Sequence, residues 1–249
     1  MGRIHVVLKK EDIDPSRWQV NSVAVVFDVL LATSTITASL ANGAREVIPV
    51  LNEQEAIAVS KRFQQENPLV AGEYGGITIK GFLPPNPVAL NRVVYNRLLI
   101  LSTTNGTVAT RRSEGASMVY LCSLLNIQAI ADRIYQEHRT EDIVLVCSGS
   151  ANSFCLEDYY GAGGLLHSLL QKGEWTLSDA ARGALMVYSN EKRAAKEVLA
   201  ETRVGEMMTA YGLEEDLTFV ANENQYNIVP VFSKRSGSIK EVKEYESSR

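Results

Sequence analysis

Short apolar runs that alternate with helical patterns constrain the fold of this chain more than any other feature of its sequence. Runs rich in Val, Ile and Leu recur between residues 23 and 149, and amphipathic helical patterns such as 52–66 and 126–138 separate them. Strands that are apolar over nearly their whole length and bracketed by helices are typical of a mostly parallel sheet covered on both faces. We therefore predict an α/β protein with three layers, α/β/α.

The pattern changes toward the C-terminus, where helical periodicity replaces the alternation of strands and helices. Helical pieces lie between residues 178 and 213, and apolar runs at 216–222 and 227–233 then predict two further strands. We expect residues 1–233 to form a single domain that includes the helical segment 178–213. The remaining residues, 234–249, are polar and predict a flexible tail.

Two parts of the chain resemble each other. Residues 32–44 and 104–116 have equal length, follow an apolar run, and share a threonine, a glycine and an alanine at matching positions. A duplicated βαβα unit that spans 23–80 and 97–155 would explain the similarity. Two βα units that share a packing pattern by chance explain it equally well, so both interpretations stay open.

Charge and cysteine content exclude several classes of partner. The net charge is −4, whereas a nucleic-acid-binding surface needs an excess of basic residues. No run approaches the roughly 20 apolar residues of a membrane helix. Three cysteines, an odd number without paired spacing, indicate a reducing compartment. We therefore expect a cytoplasmic protein with no nucleic-acid or membrane partner, and the sequence leaves a homodimer open.

Hydroxyl side chains cluster where two of the predicted strands lead into helices. These residues are Thr33, Ser34 and Thr35 in the first turn and Thr103, Thr104, Asn105, Gly106 and Thr107 in the second. The first N–H groups of a helix lack intrahelical partners and favour a negative charge, and hydroxyl groups add further donors. Ordinary helix capping explains either turn alone. Because one chain contains both turns, and an acid lies beside one of them, we predict an anion site.

Four acidic residues lie at strand ends or shortly after them. Asp28 and Glu73 each close an apolar run, and Glu157 and Asp158 follow a third strand. Ligands of open α/β sheets bind beyond the carboxyl ends of the strands, so Asp28 and Glu73 would meet there if their strands are parallel and close. Carboxylates that converge with hydroxyl groups are typical of a site for Mg²⁺ and phosphate. For Glu157 and Asp158, favourable charge in a first helical turn is a strong alternative.

Four motifs of the chain resemble a known family. The stretches VVFDVLLATSTITASLANGA, GEYGG, STTNGT and FCLEDYYGAG occur in the order found in the 2-phosphosulfolactate phosphatase family, and the resemblance extends over nearly the whole chain. It implies an α/β phosphatase that uses Mg²⁺ to remove phosphate from 2-phosphosulfolactate. That step leads to coenzyme M in methanogens and to sulfolactate in some bacteria.

The resemblance also implies roles for the acids at matching motif positions. Asp28, Glu73 and Asp158 are the expected metal ligands, and Asp28, Glu157 and Asp158 are the expected catalytic acids. The two hydroxyl turns are expected to hold the phosphate. Whether water or Asp28 itself attacks the phosphorus stays open.

Two positions depart from the family pattern. Leu31 stands where the first motif usually has Arg, and Tyr74 stands where the second usually has Arg. Arginine binds anionic groups through two parallel hydrogen bonds, which neither replacement does. We therefore expect poor handling of 2-phosphosulfolactate, with Leu31 in an apolar wall of the site and the Tyr74 hydroxyl as a neutral donor.

The leading hypothesis is a Mg²⁺-dependent phosphatase that hydrolyses the phosphate monoester of a small 2-hydroxy acid. The alternative is a non-catalytic member of the family that binds a small anion. The two absent arginines favour the alternative, and the complete set of acids favours the enzyme.

Overall fold

An eleven-stranded sheet forms the centre of the molecule in a computed structural model that describes residues 2–18 and 21–242. Its strands are β1 (Arg3–Val7), β2 (Ser22–Phe27), β3 (Glu46–Val50), β4 (Leu69–Tyr74), β5 (Ile77–Thr78), β6 (Leu98–Ser102), β7 (Met118–Cys122), β8 (Asp142–Cys147), β9 (Thr176–Leu177), β10 (Pro230–Ser233) and β11 (Ser238–Glu241). Their order across the sheet is β5-β4-β6-β3-β11-β10-β7-β2-β8-β1-β9.

The sheet consists of two parallel runs joined by a hairpin. Strands β4, β6 and β3 pair in parallel, and so do β7, β2, β8, β1 and β9. Strands β10 and β11 lie between the two runs, and each of their pairings is antiparallel. Strands β2 and β4 lie in different runs and are not neighbours, so the proximity of Asp28 and Glu73 does not come from the close parallel strands that the sequence suggested. The structure nevertheless brings the two acids to the same cavity.

Helices cover both faces of the sheet, as the α/β/α prediction requires. They are α1 (Ala32–Ala41), α2 (Glu53–Arg62), α3 (Pro87–Asn91), α4 (Gly106–Arg112), α5 (Ile127–Glu137), α6 (Leu156–Lys172), α7 (Asp179–Asn190), α8 (Ala195–Ala200), α9 (Arg203–Ala210) and α10 (Glu214–Val220). The part of the chain that the structure describes has no helix with the length and apolar composition needed to cross a membrane.

Strand β2 shows why the strands are apolar on both faces. Val23, Val25 and Phe27 pack into the core cluster that includes residues of α5 and α6, whereas Ala24 and Val26 pack into the cluster that includes residues of α1 and α4. All five side chains are fully buried. Successive strand residues point to opposite faces, so a strand between two helical layers needs apolar residues at every position.

The strand predicted at 216–222 is wrong, because residues 214–220 form helix α10. Three acids, Glu214, Glu215 and Asp216, occupy its first turn, where negative charge favours a helix. Leu217 and Val220 are three residues apart and both buried, as one face of a helix requires. The run at 227–233 contains β10 as predicted.

The predicted flexible tail is wrong for residues 238–241, which form β11. Ile239 is fully buried and pairs with Val47 of β3. The hairpin with β10 turns at Gly237, whose φ of 67° suits glycine. Residues 243–249 of the predicted tail lie outside the described residues.

The two candidate repeats contain the same order of elements. Residues 23–80 cover β2-α1-β3-α2-β4 and the two-residue strand β5, and residues 97–155 cover β6-α4-β7-α5-β8, so the order is the same apart from β5. Shared order also follows from two βα units packed on one sheet, so the duplication and the single-domain boundaries stay predictions.

Candidate active site

A cavity of about 270 Å³ lies where the ends of β2, β4 and β6 meet helix α9. Asp28, Glu73, Thr103, Thr104 and Asn105 line it, so the structure brings two of the predicted acids and three residues of the second hydroxyl turn together. The volume suits a small metabolite.

Asp28 lies directly after β2, where the N-termini of two helices approach each other. Its carboxylate faces the backbone N–H groups of Ala32, at the start of α1, and Gly106, at the start of α4, and both groups favour its charged form. A side chain at Gly106 would not fit, since its Cβ would lie 2.6 Å from Asp28 Oδ2 and 2.5 Å from Ala32 Cβ. The glycine of this turn therefore makes room for the protein's own carboxylate.

The environment of Asp28 disfavours its negative charge. The pKa of Asp28 is raised to about 7, first by burial and then by the nearby carboxylates of Glu73 and Glu157, while the two N–H groups act in the opposite direction. A cation in the cavity would relieve this repulsion.

Glu73 lies near the end of β4 and is held by the second hydroxyl turn. Its carboxylate accepts the N–H of Thr104 at 2.6 Å and the Thr104 hydroxyl at 2.9 Å. It also accepts the N–H of Gly76 at 2.7 Å, and Gly75 N–H donates to Thr104 Oγ1. Glu73 therefore fixes the tip of the β4–β5 hairpin beside the cavity.

Asp158 connects two loops instead of facing the cavity as a metal ligand. It is buried in the first turn of α6, and its two carboxylate oxygens accept the N–H of Val29 at 2.9 Å and the N–H of Gly149 at 3.0 Å. These bonds join the loop after β2 to the loop after β8. Burial raises its pKa well above the usual value, with Asp28 and Glu157 adding repulsion.

Glu157 is buried beside Asp158, with 2% of its surface exposed. Burial raises its pKa, and the guanidinium of Arg203 in α9 partly opposes that shift. Its predicted catalytic role stays a prediction, because the side chain lies behind the cavity wall.

The hydroxyl groups of the first hydroxyl turn bind inside the fold, so its predicted phosphate-binding role stays a prediction that these side chains do not support. Thr33, Ser34 and Thr35 are fully buried. Their hydroxyl groups donate to the backbone carbonyls of Asp28, Val29 and Pro85, respectively, at 2.8–2.9 Å. These bonds connect the start of α1 to the loops around it. They are not the helix caps of the alternative interpretation, because the N-cap residue of α1 is Leu31 and no side chain caps the helix.

The second hydroxyl turn is only partly available to a ligand. Thr103 and Thr107 bind each other, since the N–H of each donates to the hydroxyl oxygen of the other at 3.1 Å. The N–H of Gly106 faces the carboxylate of Asp28, which lies directly against this glycine. The anion predicted at the backbone of this turn is therefore supplied by the protein itself, and Thr103, Thr104 and Asn105 are the members that reach the cavity.

Asn105 is oriented by a lysine that the sequence analysis did not single out. Lys10 is buried, pairs with Glu11 at 2.8 Å, and donates from Nζ to Asn105 Oδ1 at 2.9 Å. An ammonium group can only donate, so the atom that faces it must be the amide oxygen. The amide nitrogen of Asn105 is then the donor that a ligand in the cavity would meet.

A basic residue and a buried amide complete the polar lining. Arg203 begins α9, and its guanidinium donates to the backbone oxygen of Ser150 at 3.0 Å. Asn86 donates from Nδ2 to Asp216 at 2.6 Å, and Asp216 also accepts the N–H of Val88. No sequence motif identified Arg203 or Asn86, because loops and α9 bring them to the site from distant parts of the chain.

Leu31 and Tyr74, the two departures from the family pattern, have different positions. Leu31 lines the cavity, as predicted, together with Met207 of α9. Tyr74 is 78% exposed on β4 and does not form part of the lining, so the prediction that its hydroxyl serves the ligand is wrong. Its side chain points away because adjacent strand residues alternate in direction, and Glu73 takes the inward position.

The residues present fit a magnesium ion in one specific way. Among residues 2–18 and 21–242, no group of three or more His, Cys, Asp or Glu side chains has the arrangement of a metal site. Mg²⁺, however, is usually held by one or two carboxylates, with water and substrate phosphate as its remaining ligands. Asp28 and Glu73, which repel each other beside the same cavity, meet that requirement.

Comparisons with known proteins agree with the motif order. The family model described as 2-phosphosulpholactate phosphatase matches residues 7–235. A probable 2-phosphosulfolactate phosphatase of Clostridium perfringens (strain SM101 / Type A) is 34% identical over 244 residues, which cover 96% of each chain. A protein of the same description from Pseudothermotoga lettingae is 36% identical over 211 residues, which cover 84% of this chain and 89% of the relative.

Proposed function

The chain belongs to the 2-phosphosulfolactate phosphatase family, and from this premise we propose that it is a Mg²⁺-dependent phosphatase that hydrolyses the phosphate monoester of a small 2-hydroxy acid. One observation carries the proposal. Two carboxylates, Asp28 and Glu73, line the same small cavity as the amide of Asn105. Two acids that form no salt bridge among the described residues, next to a neutral donor, suit a cation and a phosphate together.

Asp28 and Glu73 are the residues that would hold the metal ion. When bound, Mg²⁺ neutralises charge on the phosphoryl oxygens and so lowers the barrier to displacement. The surrounding structure keeps both carboxylates in place, through the N–H groups of Ala32 and Gly106 for Asp28 and through Thr104 for Glu73. This preorganisation avoids the cost of rearranging the site during reaction.

The remaining polar residues position the substrate. The amide nitrogen of Asn105, held by Lys10, donates to a phosphate oxygen, and Arg203 receives the carboxylate of the 2-hydroxy acid. Hydrolysis breaks the bond between phosphorus and the ester oxygen and forms a bond from phosphorus to a water oxygen. The 2-hydroxy acid leaves with a proton on its restored hydroxyl group. Water and the Asp28 carboxylate are the two candidate first nucleophiles.

We also propose a cytoplasmic location. Cys122, Cys147 and Cys155 are free and buried, and burial raises the pKa of each thiol. Unreactive free thiols are compatible with a reducing compartment.

One observation favours the non-catalytic alternative. The carboxylate of Glu73 already accepts several hydrogen bonds from the chain itself, and the carboxylate of Asp28 faces two backbone N–H groups. A pocket stabilised in this way could bind a small anion without turning it over.

Phosphate release separates the two candidates. A panel of phosphorylated 2-hydroxy acids is incubated with the protein in EDTA and then in increasing Mg²⁺. We expect release that saturates with Mg²⁺ and falls at least about 100-fold in Asp28→Asn, which keeps the size of the side chain but removes its charge. Asp132→Asn, at an exposed acid on α5, is the matched control and should keep full activity. Phosphate release that does not depend on Mg²⁺, or that stays at the full rate in Asp28→Asn, contradicts the proposal.

A further inference from the structure

The lining of the cavity divides into a polar part and an apolar part. The polar part comes from the ends of β2, β4 and β6, together with Asn86 and with Arg203 of α9. The apolar part includes Leu31, directly before α1, Met207 and Met208 in the C-terminal half of α9, and Tyr211, directly after α9. We call these four side chains the apolar wall. An enzyme whose ligand carried charge on every side would not need such a surface.

The apolar wall lies close to both predicted metal ligands. Leu31 precedes Ala32, whose N–H faces the carboxylate of Asp28. On the other side, Gly76 donates to Glu73, and a Cβ on Gly76 would lie 3.2 Å from Met207 Cε and 3.6 Å from Tyr211 Cε2. The tip of the β4–β5 hairpin therefore packs on α9. A substituent next to the phosphate would consequently touch the wall.

Charge in the cavity limits what the substrate can carry. Among the described residues that line it, Asp28 and Glu73 are acidic and Arg203 is the one basic side chain. With a divalent cation on the two acids, Arg203 provides the single further positive charge. That set matches a phosphate and one carboxylate. A sulfonate placed against Leu31 and Met207 would lose hydration without meeting a cation or a donor.

We propose that the preferred substrate is a phosphorylated 2-hydroxy carboxylic acid with an apolar side chain, which packs against Leu31, Met207 and Tyr211. The proposal rests on the phosphatase function above and names its substrate class. The phosphate lies at Asp28 and Asn105, the carboxylate at Arg203, and the side chain on the apolar wall. A sulfonated side chain is rejected because the wall offers it no charged partner, although the reaction at phosphorus is the same.

A matched pair of substrates tests the preference. The phosphate esters of 2-hydroxy-4-methylpentanoate and of sulfolactate differ only in the side chain. We expect kcat/KM to be at least about tenfold higher for the first, since burial of an isobutyl group is favourable and burial of an unpaired sulfonate is costly.

Two arginine variants test whether the substrate preference arises at the apolar wall. Leu31→Arg puts a cation into the wall and should lower the preference at least about tenfold. Tyr74→Arg adds the same charge on the exposed face of β4 and should leave the preference unchanged. Met207→Gln is a second test that remains available if Leu31→Arg does not fold. It keeps the side-chain length and adds polarity, so it should also weaken the preference for the apolar substrate. A preference that Leu31→Arg and Met207→Gln leave unaltered overturns the assignment of the wall.

Binding without turnover separates this inference from the proposed function. Phosphonate analogues of both substrates, with the ester oxygen replaced by CH₂, are titrated calorimetrically in Mg²⁺. Tighter binding of the isobutyl analogue, with no phosphate released from any ester, would uphold the apolar wall and reject the phosphatase. Equal or tighter binding of the sulfonated analogue, or binding of neither, overturns the inference whether or not phosphate is released.

Discussion

Asp28 illustrates how far a single residue can be interpreted from the sequence. An acid that ends an apolar strand indicates a site, because a carboxylate is costly to bury without a partner. The sequence therefore identified Asp28 and Glu73, and both line the cavity. The hydroxyl residues were less predictable, since the same side chains serve as helix caps and as ligand donors. In this chain Thr33, Ser34 and Thr35 are not caps, because their hydroxyl groups donate to backbone carbonyls of neighbouring loops.

Lys10 could not be found in this way. It contacts Asn105 across 95 residues of sequence, from a short turn after β1 that no pattern marks. A buried lysine is uncommon unless paired. Its role is to fix the orientation of a neighbouring amide, and the geometry of that contact becomes visible only in the folded chain.

Replacing Lys10 with methionine should weaken substrate binding more than catalysis. Methionine keeps the apolar stem but removes the donor to Asn105, whose amide is then free to rotate. A charge-assisted hydrogen bond contributes about 1.5–3 kcal/mol, so we expect KM to rise about tenfold or more while kcat changes less than about threefold. Steady-state phosphate release measures both constants.

Glu11→Gln is the control for this prediction. It removes the ion pair with Lys10 and leaves the bond from Lys10 to Asn105 intact. We expect its KM to stay near that of the unmodified protein. If Glu11→Gln raises KM as much as Lys10→Met does, the effect comes from the ion pair and Lys10 does not position Asn105.

At the scale of elements, helix α6 holds the site together through its first turn. The Asp158 carboxylate accepts one hydrogen bond from a backbone N–H in the loop after β2 and one from a backbone N–H in the loop after β8. The sequence allowed three roles for Asp158, namely metal ligand, catalytic acid and favourable charge at a helix N-terminus, and the structure shows a fourth. Contacts between loops depend on which strands are neighbours, and β2 and β8 are more than 100 residues apart in the chain.

Asp158→Asn should therefore cost stability. The amide keeps one acceptor but places its NH₂ group against the other backbone donor, which leaves a buried N–H without a partner. Such a loss costs about 1–3 kcal/mol. Denaturant unfolding of Asp179→Asn gives the comparison, because Asp179 is an exposed acid in the first turn of α7 and tests the charge effect alone, which is about 0.3–1 kcal/mol. Equal losses in the two variants would mean that Asp158 acts only as a favourable charge.

Whether a segment forms a strand or a helix was predictable where its hydrophobic periodicity and its length indicated the same type of element. The strands between residues 23 and 149 are long, apolar on both faces and separated by clear helices, so their type follows from packing. The run at 216–222 is short and apolar, and such runs do not distinguish a strand from a buried helix. In the folded chain this run forms helix α10, and its Asp216 carboxylate accepts hydrogen bonds from the side chain of Asn86 and the N–H of Val88.

At the scale of the whole molecule, the three-layer architecture follows from the sequence but the sheet order does not. Alternating apolar strands and helices require a sheet with two covered faces. Nothing in residues 230–241 indicates that β10 and β11 insert between β3 and β7 and so join two parallel runs. That insertion is determined by nonlocal pairing, which local patterns do not encode.

The buried acids predict how stability depends on pH in the absence of metal. The pKa of Asp28 is raised to about 7, and those of Glu157 and Asp158 are also raised. The folded state therefore binds more protons than the unfolded state above the ordinary carboxyl pKa, and stability falls as pH rises through the raised values. Glu11 and Glu141 have lowered pKa values, so their contribution is lost only below the ordinary carboxyl range.

In EDTA we expect the free energy of unfolding to be higher near pH 5.5 than near pH 8, by about 1–3 kcal/mol. Urea unfolding at a series of pH values measures the difference. Glu157→Gln should reduce the slope, because it removes one titrating group and part of the repulsion on Asp28. Stability that rises from pH 5.5 to pH 8 would show that these carboxyl groups are ionised without penalty.

The central claim is that one cavity holds a divalent cation on Asp28 and Glu73 together with a phosphate at Asn105. The most direct test is a crystal structure with Mn²⁺ and inorganic phosphate, in which anomalous scattering locates the metal. We predict an anomalous peak within bonding distance of both carboxylates, and phosphate in the same cavity within hydrogen-bond distance of the Asn105 amide. An anomalous peak elsewhere, with the cavity free of metal and phosphate, would contradict the account.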